Sequence, residues 1–210
     1  QQTSGDRLSA QLASGPRPHQ KASQGMSQQI QSAIIEGDVV LTEQQPARPG
    51  SAAQPPMRAT AGKAVYDGAS EWLRLTQSPR IDDGGLQLSA DRLDVSKSSG
   101  DALAHGNVKA TWLQNGSSPR KKRQPPVGLN LGAEGPAHVI AAEAVLHKAT
   151  DQAVFRGEAR LWQGANSISA PEIVLDRTRQ TLTAHETGAA QPVKLVLLGN
   201  ETQRPGQDNK

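Results

Sequence analysis

The side chains that could carry out acid–base or metal chemistry are few in this chain, and they do not form a known catalytic pattern. Its histidines are widely separated, at His19, His105, His138, His147 and His185. There is no Gly-x-Ser-x-Gly turn, no glycine-rich phosphate loop and no His-Glu-x-x-His helix. The absence of cysteine excludes a thiol nucleophile, a disulfide framework and a cysteine-ligated zinc site. We therefore predict no catalytic residue, no metal site and no cofactor, and we expect a protein that is not an enzyme.

The charge of the chain gives little indication of a partner. The formal net charge is +3, which is too small by itself to indicate nucleic acid. One basic run, Arg120 to Arg123, lies between Ser-Ser-Pro and Gln-Pro-Pro, so it is either a contact for an anionic surface or a solvated loop. No apolar run approaches 18 residues, so we predict no membrane span. Because the chain begins with Gln1, we expect a mature or excised piece that has lost a targeting segment.

Short β-strands are the elements that must position the side chains. Apolar and polar residues alternate over 39–43, 73–75, 86–90, 93–95, 108–112 and 168–175, between turn-forming residues. Only 2% of the residues are aromatic and 35% are hydrophobic, which favours a thin, extended interior over a thick globular core. The sequence has no clear helical periodicity. Ala141–Ala149 would be a helix on propensity alone.

An internal repeat decides that ambiguity. Shifted by 80 residues, segment 58–105 aligns without a gap on 138–185, with Ala64 on Ala144 and Arg80 on Arg160. Because 65–95 has the strand pattern, Ala141–Ala149 is predicted to be a strand as well. His105 and His185 are equivalent positions, which indicates a structural role. His138 and His147 are nine residues apart, so they would lie on opposite faces of an unbroken strand.

A partial copy of the repeat precedes the two aligned segments. Asp6-Arg7-Leu8 is similar to Asp91-Arg92-Leu93, and Gly37-Asp38-Val39 is similar to Gly106-Asn107-Val108. We therefore predict that 1–29 is the mostly disordered end of a truncated upstream repeat and that 30–198 contains the repeats, at about 30–113 and 137–198. The Pro-rich basic segment 114–136 is predicted to be a loop, and 199–210 a disordered tail.

The order and spacing of these motifs resemble a known family. The chain contains IIEGDVVLTE at 34–43, TAGKAVYDG at 60–68, LRLTQSPRI at 73–81, LQLSADRLDV at 86–95 and ALAHGNVKATW at 102–112. This series resembles the OstA-like, or LptA-like, proteins of lipopolysaccharide transport over about 30–198. The second copy departs from the pattern, since Pro171-Glu172 replaces Asp91-Arg92. The segments at 44–56 and 114–136 are also longer than compact members of the family need.

The resemblance implies an all-β fold, an antiparallel β-jellyroll or taco-shaped solenoid with no substantial helix. It implies a periplasmic bridge component that carries lipopolysaccharide, or a related glycolipid, between inner and outer membranes and contributes to outer-membrane assembly. The apolar faces would form a trough for acyl chains, held without directional bonds. The predicted lining residues are Val39, Leu41, Val65, Leu73, Leu75, Ile81, Leu86, Leu88, Leu93, Val95, Val108, Trp112, Val145, Phe155, Leu161, Ile168, Ile173 and Leu175.

Open strand edges are the second expected functional feature, because an unpaired edge recruits further strands. The predicted docking edge is Val193, Lys194, Leu195, Val196, Leu197 and Leu198. Its partners would be other OstA-like transport components or a second copy of the chain, head to tail. Three alternatives remain: the soluble domain of the outer-membrane insertion protein, an inner-membrane-anchored partner, and a structural β-solenoid stalk with a dry core.

Overall fold

A computed structural model describes residues 2–12, 30–43, 56–83, 85–113, 131, 135–176, 178–179, 181–186 and 192–197. These residues form β-strands joined by turns, and no helix occurs among them. The strands are β1 Gln2–Ser4, β2 Arg7–Leu12, β3 Ile30–Glu43, β4 Met57–Asp67, β5 Trp72–Thr76, β6 Arg80–Asp83, β7 Leu86–Ser89, β8 Arg92–Ser96, β9 Ala102–Trp112, β10 Ala137–His147, β11 Gln152–Gln163, β12 Asn166–Asp176, β13 Thr181–His185 and β14 Lys194–Val196. All pairings are antiparallel. The all-β prediction is confirmed.

The long strands bend near their middles, so the sheet has two limbs. The second half of β4 pairs with β5, and its first half pairs with β6. We call the limb that contains β2, β5, β8 and β13 limb A, and the limb that contains β1, β6, β7 and β14 limb B. The strands β3, β4, β9, β10, β11 and β12 contribute one half to each limb. The limbs therefore meet along one line of corners.

Two kinds of corner alternate along this line. In the longer kind, two consecutive residues have positive φ, and the pairs are Gly37-Asp38, Gln77-Ser78, Gly106-Asn107 and Gly157-Glu158. Glycine suits the first position because the left-handed region costs it little. In the shorter kind, as in β4, buried Ala61 and Ala64 are separated by only two residues. The shorter corner therefore reverses which parity of residue number faces the interior.

The 80-residue repeat is a repeat of structure. Shifting β4 by 80 residues gives β10, and shifting β5 with β6 gives the two halves of β11. In the same way, β7 with β8 corresponds to β12, and the first part of β9 to β13. The corner at Gln77-Ser78 recurs at Gly157-Glu158. Ala141–Ala149 therefore lies in β10 and the turn after it, as the repeat predicted, because cross-strand pairing overrides the helix propensity of alanine.

The upstream partial copy also has the expected structure. The Asp6 amide donates to the Gly37 carbonyl oxygen at 3.1 Å, and the Asp91 amide donates to that of Gly106 at 2.9 Å. The prediction that 1–29 is mostly disordered is wrong for 2–12, because β1 and β2 pair with the two halves of β3. Residues 13–29, the predicted tail 199–210, and 114–136 apart from 131, 135 and 136 lie outside the described residues.

Candidate functional site

The space between the two limbs is lined by one continuous apolar surface. Each strand turns alternate side chains inward, and successive strands place these side chains next to one another in register. One inner row of limb B runs through Leu41, Ala59, Ile81, Leu88, Ala110, Val139, Leu161 and Ile168. A matching row of limb A runs through Ala64, Leu75, Leu93, Ala104, Ala144, Phe155 and Ile173. Nothing polar interrupts either row.

The interior is narrow at the corners and wider toward the limb ends. The inward residues beside the corners are alanines, namely Ala61, Ala64, Ala90, Ala104, Ala144, Ala159 and Ala170. Larger side chains, such as Leu75 and Leu161, begin two residues further out. A graded side-chain volume of this kind keeps the two limbs in a V while leaving little empty space, since interiors pack closely.

Two aromatic residues close the interior between the limbs. Trp112 lies at the end of limb B and Phe155 in limb A, and their ring centroids are 6.0 Å apart with an interplanar angle of 78°. Such an edge-to-face pair contributes about 0.5–1.5 kcal/mol beyond its burial. The indole Nε1 of Trp112 is buried without a hydrogen-bond partner. This donor is thus available to an oxygen atom that enters the apolar space.

The predicted lining residues face this interior with two exceptions. Leu86 and Val95 are half-buried but pack against the core, and the other members apart from the exceptions are buried. Val65 and Val145 lie on the outer surface of limb A, where Val65 pairs with exposed Ile34 and Arg74. Counting by twos from Ala61 or Ala141 reaches these valines, but the short corner reverses the parity. The prediction for both is wrong for that reason.

Sequence reasoning missed several interior residues. Tyr66 and Leu146 are inward neighbours of the corner alanines, and their equivalence in the repeat was a signal that could have identified them. At the end of limb B, buried Gln163 accepts from the Leu131 amide at 2.9 Å and donates to the Gly135 carbonyl oxygen at 3.0 Å. Asn166 donates to the Leu131 carbonyl oxygen at 2.5 Å. No sequence pattern indicated this anchor.

Charged groups on the outer surface of limb A are paired across neighbouring strands. Arg74 Nε donates to Asp94 Oδ1 at 2.9 Å, and Arg92 Nε lies 2.9 Å from the other oxygen of Asp94. Lys63 Nζ lies 2.9 Å from Glu36, and the hydrogen bond and charge of Lys63 hold the pKa of Glu36 below its usual value. These pairs stabilise the stacking of strands and leave limb A close to electroneutral.

The histidines that the structure describes all lie outside the apolar interior. His105 lies between Asp94 and Glu143, at 3.8 and 3.7 Å, and His185 pairs with Glu172 on the same outer surface. The expectation that His138 and His147 lie on opposite faces fails, because β10 bends with a register shift between Ile140 and Glu143. Among the described residues, no group of three potential ligands could hold a metal ion.

The predicted docking strand lies at one end of the stack. Lys194–Val196 pairs with Ser167–Ser169 of β12 through one edge, and no described strand occupies the other edge. Leu195 is 57% exposed. At the opposite end, β2 is an edge strand whose Leu8 is 68% exposed. Leu198 lies outside the described residues.

The bent antiparallel strands, stacked corner over corner around an apolar interior, define a two-limbed β-jellyroll of the LptA-like kind. The fold is similar to the crystal structure of LptH, the LptA-homologous periplasmic component of the conserved lipopolysaccharide transport device from Pseudomonas aeruginosa. The TM-score is 0.55 at 15% sequence identity, over 70% of this chain and 96% of LptH. No protein-family model and no curated protein matches the chain. The resemblance seen in the motifs is confirmed at the level of the fold.

Among the described residues, no helix is long and apolar enough to cross a membrane.

Proposed function

We propose that this protein is a periplasmic, non-enzymatic carrier that binds lipopolysaccharide, or a related glycolipid, and contributes to outer-membrane assembly. The observation that carries the proposal is the uninterrupted apolar surface between the limbs, within a fold similar to that of LptH. Burial of each methylene group is worth about 0.8 kcal/mol and needs no fixed geometry. Acyl chains could therefore be held firmly and still slide along the stack, with no chemical step.

Photo-crosslinking at adjacent residues tests the proposal. A benzophenone amino acid is introduced at inward Leu88 or Ile168, and separately at outward Gln87 or Ser169. Labelled lipopolysaccharide should crosslink to the inward positions and not to the outward ones. Equal crosslinking at both, or crosslinking at outward positions alone, would exclude the trough.

A structural solenoid is the second candidate function, and one observation favours it. The Trp112–Phe155 contact joins the limbs, and many inward side chains are fully buried, as in a dry core. A solenoid of this kind would show no saturable crosslinking from Leu88 or Ile168. The same experiment therefore separates the two classes.

We further propose that the exposed edges join this protein to related jellyroll domains or to a second copy, head to tail. The β1–β2 edge and the β13–β14 edge present unpaired backbone groups at opposite ends of the stack. Because the chain lacks cysteine, Leu8→Cys with Leu195→Cys creates one defined pair. Oxidation should yield disulfide-linked oligomers, whereas Leu8→Cys with Val154→Cys, a mid-sheet control, should yield none. Equal oligomer yields would refute pairing through the edges.

A further inference from the structure

The outer surface of limb B carries a regular row of cations. The residues aligned across its strands are Arg80, Ser89, Lys109, Ile140, Arg160, Ser169 and Lys194. We call Arg80, Lys109, Arg160 and Lys194 the basic row. A cation thus occurs on every second strand, so neighbouring members are about 9.5 Å apart along the sheet. The register of the sheet sets this spacing.

The cations of the basic row have no acidic partner among the described residues. All four side chains are exposed, and none forms an ion pair. The row itself contains no carboxylate. Asp82, on the adjacent outer row, accepts a hydrogen bond from Gln87 at 3.1 Å. The positive charge of this surface is therefore not neutralised by the protein.

Limb A provides an internal comparison. Its outer surface also carries several cations, but Lys63, Arg74, Arg92 and Arg156 each lie within ion-pair distance of a carboxylate. Arg156 Nε, for example, donates to Glu172 at 2.6 Å. Both limbs have the same strand pairing, so strand stacking does not require unpaired cations. The asymmetry gives limb B the chemistry of an anion-binding surface.

The surroundings of the basic row identify the kind of anion. Arg80 and Lys109 border an open depression of about 400 Å³, whose one carboxylate, Asp91, already accepts from Asn107 at 2.8 Å. Beyond it lie Ile140, which is 39% exposed, and the ring of Trp162, with the Arg160 guanidinium 5.8 Å from its centroid. Cations interleaved with an aliphatic and an indole side chain match the phosphate and upper acyl region of a lipid surface.

We propose that the outer surface of limb B docks on the surface of an anionic lipid bilayer through the basic row, with Ile140 and Trp162 at headgroup level. The inference is independent of any lipid bound between the limbs. It would bring the carrier side-on to a membrane, where glycolipid enters or leaves. Lysine or arginine near an anionic bilayer strengthens binding about fivefold for each residue. The attraction decays within a Debye length of about 10 Å at 0.1 M salt.

Vesicle co-sedimentation tests this proposal on the full chain. The protein should bind vesicles that contain phosphatidylglycerol, should not bind phosphatidylcholine vesicles, and should dissociate as sodium chloride is raised. Arg80→Gln with Lys109→Gln, Arg160→Gln and Lys194→Gln should weaken binding by about fivefold per cation that contacts the surface. The matched control changes Lys63, Arg74, Arg92 and Arg156 to Gln, which removes the same charge from limb A.

The outcomes discriminate. If the two quadruple variants lose equal affinity, or if neutral vesicles bind as well, the proposal is wrong. Competition by millimolar inorganic phosphate would instead indicate a site for an isolated anion and would also overturn it. Circular dichroism confirms that each variant is folded. Crosslinking of lipopolysaccharide at Leu88 should persist in the variant without the basic row, so failure here is distinct from failure of the trough.

Discussion

Replacement of Phe155 by leucine separates a groove that opens from a dry core. Leucine retains most of the apolar volume but loses the edge-to-face contact with Trp112 across the limbs. We expect a loss of about 1–2 kcal/mol in the free energy of unfolding, from the aromatic contact and the smaller buried side chain. If acyl chains enter between the limbs, the Trp112–Phe155 contact must break during binding. A variant without that contact is spared about 1 kcal/mol, so lipopolysaccharide should bind about fivefold more tightly.

Two measurements and one control decide the outcome. Urea denaturation gives the stability change, and titration with fluorescently labelled lipopolysaccharide gives the affinity. Ile173→Val is the matched control, because Ile173 is buried directly beside Phe155 on β12 and this substitution also costs about 1 kcal/mol. The control should leave the affinity within about twofold. Unchanged or weaker binding by Phe155→Leu would refute the argument that the limbs separate at this contact.

Three further predictions concern the corners, the faces and acid stability. Gly106→Ala should cost about 1–3 kcal/mol by urea denaturation, because φ is 73° and the new methyl group would meet a carboxylate; Gly135→Ala, with positive φ but open space, should cost less, and equal costs would refute the role of the clash. Val39→Thr should cost about 1–3 kcal/mol and Val65→Thr less than about 0.5 kcal/mol, whereas similar values would contradict the assigned faces. The Lys148 amide, foremost, lowers the pKa of Asp101 below 3.8, so its stabilisation is full above that pH and disappears as pH falls through the folded-state pKa. Asp101→Asn should therefore be less stable than the parent at pH 7 and equal to it at about pH 2, as thermal denaturation can show.

Much of the architecture was predictable because it depends on local patterns that recur. Two-residue alternation identified the strands, and the gapless repeat corrected the helix propensity of Ala141–Ala149. The partial copy at Asp6 and Gly37 correctly predicted an earlier corner. Composition was misleading for 2–12, since Gln, Ser and Thr suggested disorder where two edge strands pair with β3. Pairing with a long neighbouring strand supplies hydrogen bonds that composition does not reveal.

The amino-acid sequence by itself determined the strand class, the repeat and most of the residues that turn toward the interior, because alternation is a local property of an extended backbone. Only the tertiary structure decided the two-limbed shape, since a corner of two residues reverses the parity and a corner of three keeps it. That difference moved Val65 and Val145 to the outer surface and placed Trp112 against Phe155. It also aligned Arg80, Lys109, Arg160 and Lys194, which lie as much as 114 positions apart along the chain, because register between strands is a property of the assembled sheet.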